Sequence, residues 1–246
     1  MIGSFEETSA GTTPQPALPI GPPVEAHSAR RPERVTLKGR WITLAPLDAE
    51  KHAEALYAAS HGEGRDSVWT YLFNGPFENL SEFAADVELK GRAVDPHYFA
   101  VLDNASGRAV GYQSLMRIDP PNRVIEVGGI MYAQTMQRTP GGTEAQYLFA
   151  RYVFDDLGYR RYEWKCNNLN ALSKRAAKRF GFTFEGVFRQ HMIVKGRNRD
   201  TAWFAMLDSE WPARKAAYER WLSPQNFDGQ GRQKTALSEL MPKAGS

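Results

Sequence analysis

Between Glu126 and Phe182 the chain concentrates residues suited to handling a phosphorylated ligand. A turn containing Gly141 and Gly142 opens directly into a helical pattern. The first amides of a helix lack intrahelical partners and sit at the positive end of its dipole, so this turn reads as a cradle for phosphate oxygens. Glu126 is a lone carboxylate on an otherwise apolar strand, and Ser173 follows Asn170 at the start of a short basic helix. That helix carries Lys174, Arg175, Lys178 and Arg179, a face read as solvated although it would also attract nucleotide phosphates. Cys166 lies between apolar neighbours with no base beside it, which argues against nucleophilic chemistry at this thiol. His191, on a late strand, is read as part of a pocket wall or as a satisfied half-buried histidine. Trp69, Tyr71, Phe73 and Phe77 form an aromatic loop broken by Asn74-Gly75-Pro76. Each ring alone reads as core; as a group beside a turn they could wall a binding pocket.

These residues need a scaffold, and the hydrophobic pattern supplies one. VTLKGRWITLAPL alternates like a hairpin or two short strands, and DAEKHAEALYAAS reads as a helix with Asp48 as its N-cap. LSEFAADVELKGRA reads as a second helix, and HYFAVLD and AVGYQSLMRI as a hairpin about Asn104 to Gly107. RVIEVGGIMY is a further strand before the glycine turn and its helix. RYEWKC then alternates Arg161, Glu163 and Lys165 outward with Tyr162, Trp164 and Cys166 inward, and NALSKRAAKRF places Leu172, Ala176 and Phe180 on one helical face. Two strands, FEGVFRQHMIV and TAWFAML, and a helix from EWPARKAAYERWL complete an α/β order on a mixed sheet. The domain is expected over residues 33–222, between a proline-rich tail (1–32) and a polar tail (223–246).

Composition narrows the function classes. In 246 residues, the 42 % hydrophobic and 12 % aromatic contents are those of a globular chain with a substantial core. A net charge of +3 is too mild to imply nucleic acid, though it suits an acidic or phosphorylated ligand. The single cysteine excludes an internal disulfide framework and a cysteine-cluster metal site. No apolar run is long enough to span a membrane and no signal-peptide core follows Met1, so a cytoplasmic protein is expected.

Four runs, in order, carry a resemblance to the GNAT-fold N-acetyltransferases of the RimJ/RimL-like group: IEVGGIMYAQ, QRTPGGTEA, NALSKRAAKRFGF and EGVFRQHMIVKGRNRDTAWFAMLDSEWP. The resemblance spans roughly residues 35–215. It implies a mixed, mostly antiparallel central sheet flanked by helices, with a splayed strand pair at the cofactor site. Gln137 and Gly142 match the ends of the group's pyrophosphate loop, while Pro140 stands where a glycine is usual and removes one amide donor.

The implied donor is acetyl-CoA and the implied acceptor a primary amine, on a small molecule or a peptide N-terminus. Unpaired amides around Ile130, Met131 and Tyr132 would grip the pantetheine arm and polarise the thioester. Gln137, Arg138, Thr139, Gly141, Gly142 and Thr143 would hold the phosphates, and Asn170 would cap its helix and touch the pantetheine. Glu126 is the expected general base, unless it faces solvent or pairs with an arginine such as Arg117 or Arg123. Ser173 is the candidate proton donor to the leaving thiolate, because the position where many relatives carry tyrosine is Ala177. Trp69, Tyr71, Phe77 and His191 would line the acceptor pocket. Two other readings use the same fold: an acyltransferase that draws on aminoacyl-tRNA, and a non-catalytic acyl-CoA-binding module. A monomer and a homodimer are both compatible with the sequence.

Overall fold

The computed structural model describes residues 18–25 and 27–242. The alternating segment near the start folds into a hairpin of β1 (Leu37–Lys38) and β2 (Ile42–Pro46). Helix α1 (Ala49–Ser60) begins where the Asp48 carboxylate accepts from the Lys51 amide at 3.2 Å, and α2 (Leu80–Arg92) where Asn79 accepts from the Glu82 amide at 3.0 Å. Strands β3 (His97–Asp103), β4 (Ala109–Asp119) and β5 (Val124–Tyr132) form a meander. Then follow α3 (Pro140–Arg151), which runs on into a π-helical turn over Tyr152–Asp156, β6 (Arg161–Asn167) and α4 (Ala171–Arg179). The hairpin of β7 (Thr183–Val194) and β8 (Arg197–Leu207) leads to α5 (Trp211–Leu222) and a single turn, α6 (Leu237–Leu240).

All eight strands join one sheet in the order β1-β2-β3-β4-β5-β6-β8-β7, and only β5 and β6 run parallel. The larger core lies between the sheet and α3, α4 and α5, where Phe99, Phe149, Tyr162, Phe204 and Tyr218 are fully enclosed. The smaller core, on the opposite face, packs α1, α2 and the aromatic loop against β3, β4 and β5. No residue of β6, β7 or β8 enters that second core, so on this face the end of the sheet formed by these three strands carries no helix among the described residues. No helix among the described residues is long and apolar enough to cross a membrane.

Three expectations from the sequence change. Glu163 and Lys165 point to the second face of β6 but are buried, because β6 is an interior strand and its charges are covered by one another and by Trp203. On α4, Leu172 is 69 % exposed, and the buried side runs through Ala177 and Phe180 instead. The described part of the expected C-terminal tail packs back: Phe227 meets Trp41 and Trp221 edge-on, and Leu237 is fully buried. Its apolar residues are single and without period, so the pattern gave no sign of packing. At the other end, Met1 to Ala17 of the proline-rich tail lie outside the described residues. Chain contacts already begin inside the expected tail, where the Ala29 and Arg30 amides donate to the Pro120 and Leu157 carbonyls.

Candidate active site

The parallel ladder between β5 and β6 runs from Val124–Arg161 to Val127–Trp164 and stops. Beyond it β5 pairs only with β4, and β6 only with β8. The edge of Gly128–Tyr132 that faces β6 therefore has no strand partner among the described residues, and its amides are open to a ligand, while the Tyr132 carbonyl is taken by Gln137. A bulge opens this edge: Tyr112 pairs with Met131 and Ser114 with Gly128, so Gln113 stands opposite both Gly129 and Ile130. Gly129 adopts φ +58°, and a Cβ there would lie 2.9 Å from the Tyr98 hydroxyl. Glycine is required at this point both by its left-handed backbone and by the close approach.

The loop after β5 is closed by its own side chains. Gln137 Nε2 donates to the Tyr132 carbonyl at 3.0 Å, which returns the loop to the end of β5. Thr139 caps α3 by accepting from the Gly142 amide at 3.3 Å, and Pro140 occupies the first helical position. The Gly142 donor is thus already engaged. Among the described residues the Arg138 and Thr139 amides make no backbone hydrogen bond, and Arg138 sits at φ +64° with an exposed side chain. Gly141 owes its small size to packing, since a Cβ would lie 2.8 Å from Ile42 Cγ2. The Thr143 hydroxyl accepts from Arg179 Nη1 at 3.0 Å, tying α3 to α4. Beneath the loop, Gln146 Nε2 donates to the Tyr132 hydroxyl at 2.7 Å and to Gln113 Oε1 at 2.9 Å, and the Tyr132 hydroxyl donates to that same Gln113 oxygen. Burial holds the Tyr132 phenol above its ordinary pKa, so it remains a neutral donor.

Glu126 and Ser173 approach the split from opposite faces. Glu126 is 3 % exposed and pairs with Arg117 Nη1 at 2.6 Å and Lys165 Nζ at 2.8 Å, so the arginine pairing that the sequence left as the alternative to a base is present, and a role as base has to be exercised from within this cluster. Lys165 also meets Glu163 at 2.6 Å and lies 3.7 Å from the Trp203 ring centroid. On the other face, the Ser173 hydroxyl accepts from the Trp164 indole N–H at 3.0 Å, which leaves its own proton available to donate. Asn170 Oδ1 caps α4 by accepting from the Ser173 amide at 3.0 Å. Cys166 is buried on that face, and burial raises its thiol pKa, which keeps it in the unreactive protonated form.

The aromatic loop divides into two roles. Trp69 has no exposed surface: its indole donates to the Ser60 carbonyl at 2.9 Å, and it packs edge-on against Phe77 and Phe83. Its place is the second core rather than a pocket wall, because the loop folds inward over α1. Phe77 is partly buried against the same core. Tyr71 is 38 % exposed and donates to the Leu169 carbonyl at 3.4 Å, so it reaches the turn between β6 and α4. Lys195 ties the loop to the last hairpin, donating to the Trp69 and Gly75 carbonyls at 2.9 and 2.6 Å. His191 lies exposed on the hairpin, its Nδ1 3.0 Å from the Thr201 hydroxyl and its ring beside Phe188 and Trp203.

Sequence reasoning missed Arg199 and Lys195, and it misplaced Lys165. The same-phase pair Glu163 and Lys165, beside a lone Glu126 on a neighbouring strand, was the one available signal for a buried charge cluster.

Residues 42–183 match the acetyltransferase (GNAT) domain family. The chain is similar to the crystal structure of a GCN5-related N-acetyltransferase from Brucella melitensis, 54 % identical, with 87 % of this chain and 97 % of that one covered at a TM-score of 0.85. It is also similar to the crystal structure of a probable acetyltransferase (GNAT family) from Chromobacterium violaceum ATCC 12472, at 38 % identity, TM-score 0.74 and coverage of 81 % and 100 %. A Bacillus subtilis (strain 168) relative named "Putative ribosomal N-acetyltransferase YdaF" is 28 % identical over 74 % of this chain and 96 % of its own length.

Proposed function

The chain belongs to the GNAT acetyltransferase family and is an acyltransferase, and on that premise we propose that it moves an acetyl group from acetyl-CoA directly to a primary amine. The observation that carries this reading is the parting of β5 from β6 after Val127 and Trp164, with a bulge at Gly129 on the freed edge. A Cβ at Gly129 would close against Tyr98, so the backbone there can meet a ligand without an intervening side chain. The donor supplies an activated thioester; the chain supplies placement, charge and proton transfer.

In this reading, the Ile130 and Tyr132 amides, which alternate away from β4 on either side of Met131, hold the pantetheine arm and stabilise negative charge developing on the attacked carbonyl. Amides of Arg138, Thr139 and Gly141, with the Arg138 guanidinium, take the phosphates at the start of α3. Glu126 accepts the proton of the incoming amine, directly or through a water, from the face that α1 and α2 leave open. Ser173 hands its proton to the leaving sulfur from the opposite face and is recharged by solvent. Placing base and acid on opposite faces suits a single displacement, in which the amine enters from one side and the thiol leaves from the other. Cys166, protonated and buried, takes no part. The acceptor meets Tyr71, His191 and the exposed rim of the aromatic loop. The name of the Bacillus subtilis relative, a ribosomal N-acetyltransferase, is compatible with a peptide acceptor and with a cytoplasmic setting, and a small-molecule amine fits the same chemistry.

Calorimetric titration with acetyl-CoA, with aminoacyl-tRNA in a parallel cell, tests the proposal. Binding on the order of −8 kcal/mol, a micromolar Kd, supports it. Absence of acetyl-CoA binding together with tRNA binding would replace it with an aminoacyl-tRNA-dependent reaction on the same fold.

A further inference from the structure

Arg199 is 8 % exposed and has no carboxylate within ion-pair distance among the described residues. Its Nε donates to the Thr201 hydroxyl at 3.3 Å, and its guanidinium lies 5.0 Å from the centroid of the Phe73 ring. Nη1 and Nη2 make no hydrogen bond among the described residues, yet neither is sealed from solvent as the partnerless Trp203 Nε1 is. A guanidinium presents five donors and cannot shed its charge, so burying it without an anion is unfavourable unless a ligand completes it. The face of Phe73 offsets only part of that cost.

Its position says which ligand. The alternation of β8 puts Arg199, Thr201 and Trp203 on one face, and Lys165 under Trp203 puts Glu126 on that same face. This is the end of the sheet that α1 and α2 leave bare, bounded by Phe73 and Tyr71 on one side and by Phe188 and His191 on the other. Arg199 lies past the end of β6, since Thr201 already pairs with Asn167, the last residue of that strand. An amine approaching Glu126 from this side passes a floor whose unclaimed charge is that guanidinium.

We infer that Arg199 is the anion-recognising residue of the acceptor cleft, so that the preferred acceptor carries a carboxylate or a phosphate as well as its amine. This rests on the acetyl-transfer reading. The guanidinium fork accepts either oxyanion in a bidentate grip, and the aromatic neighbours accommodate an apolar body between anion and amine.

Two matched probe pairs separate the sources of the anion: phenylalanine against phenethylamine, and O-phosphoethanolamine against ethanolamine. Equilibrium binding of each, in the presence of saturating CoA, is measured for the wild-type protein and for Arg199→Gln and Arg199→Lys. The wild type is expected to bind the anionic member of at least one pair about tenfold or more tightly. Arg199→Gln is expected to bring that ratio towards unity, and Arg199→Lys to restore it in part, with acetyl-CoA affinity retained in both. Equal affinity within both pairs for the wild type, or a preference that survives Arg199→Gln, would overturn the assignment. Loss of acetyl-CoA binding by the wild type would instead remove the acetyl-transfer reading, while the probe ratios would still report on Arg199.

Discussion

Glu126 and Lys165 meet at 2.8 Å across the last rung of the parallel ladder, at the point where β5 and β6 part. In the proposed reaction this carboxylate takes the proton of an amine entering the open face. The ammonium behind it also grips Glu163 at 2.6 Å, so two buried carboxylates share one lysine, each with an arginine on its far side. The pair fixes the direction of the Glu126 side chain and braces the base of the split.

Glu126→Gln is expected to lower kcat by about 100-fold or more while leaving acetyl-CoA affinity intact, as loss of a general base does. Steady-state rates and calorimetry on one preparation check this. Unchanged rates at neutral pH would remove Glu126 from the reaction.

Lys165→Met leaves Glu126 and Glu163 with one arginine each and brings two like charges together without their shared counter-ion. Stripping a partner from a lone buried pair costs roughly 3–5 kcal/mol, and the remaining arginines should hold the loss to about 2 kcal/mol. Thermal unfolding should show a drop of several degrees. An unchanged midpoint would mean that the lysine contributes nothing net to the cluster.

Arg138→Glu reverses an exposed charge beside two free amides and should weaken acetyl-CoA binding by about tenfold without a change in Tm. Gly142→Glu should abolish binding, and its unfolding midpoint should be recorded alongside, because a Cβ there lies 3.2 Å from the Met136 carbonyl oxygen. Full affinity in both variants would place the phosphates elsewhere.

His61 accepts from the Phe77 amide at Nε2, 3.1 Å away, so the ring serves the loop only when that nitrogen is unprotonated. Burial lowers its pKa below 6.5. The folded state therefore binds this proton less readily than the unfolded chain, and stability present above about pH 6.5 is lost as pH falls through the folded value. His52 and His97, also depressed by burial, act in the same direction. Unfolding midpoints measured from pH 8 to pH 5 should fall at the acid end, and less steeply for His61→Gln. A flat profile would contradict the assigned protonation state.

Leu237→Ala removes a fully buried side chain from the segment after α5 and should cost about 2–5 kcal/mol, read by denaturant unfolding. A cost within about 0.5 kcal/mol would show that this segment is not part of the cooperative core.

Much of the frame is legible in the sequence. Asp48 caps α1, the glycine turn opens α3, and the order of helices and strands follows the hydrophobic period, because these are local effects of spacing and capping. The split itself follows from the GNAT resemblance rather than from any local pattern, since an edge that fails to pair leaves no periodic trace. The charge cluster was hidden because Glu163 and Lys165 alternate as solvent-facing residues do, and only neighbouring strands turn that face inward. The spacing of Trp69 and Phe77 suggests one wall, yet the fold sends Trp69 fully into the second core. Arg199 was invisible, because an arginine at the start of a strand is unremarkable until its surroundings show no anion.

The contact of Phe227 with Trp41 joins the first hairpin to a segment far along the chain, and Glu144 accepts from the Arg40, Trp41 and Ile42 amides at 2.7, 2.7 and 3.0 Å. The same short turn is thus clasped by α3, through Glu144, and by the late segment, through Trp41. Pairings this distant close large loops of chain before they are rewarded, so they form late and slow the final step of assembly. The turn that opens α3, the proposed phosphate cradle, is therefore expected to mature last, after most of the sheet has zipped up.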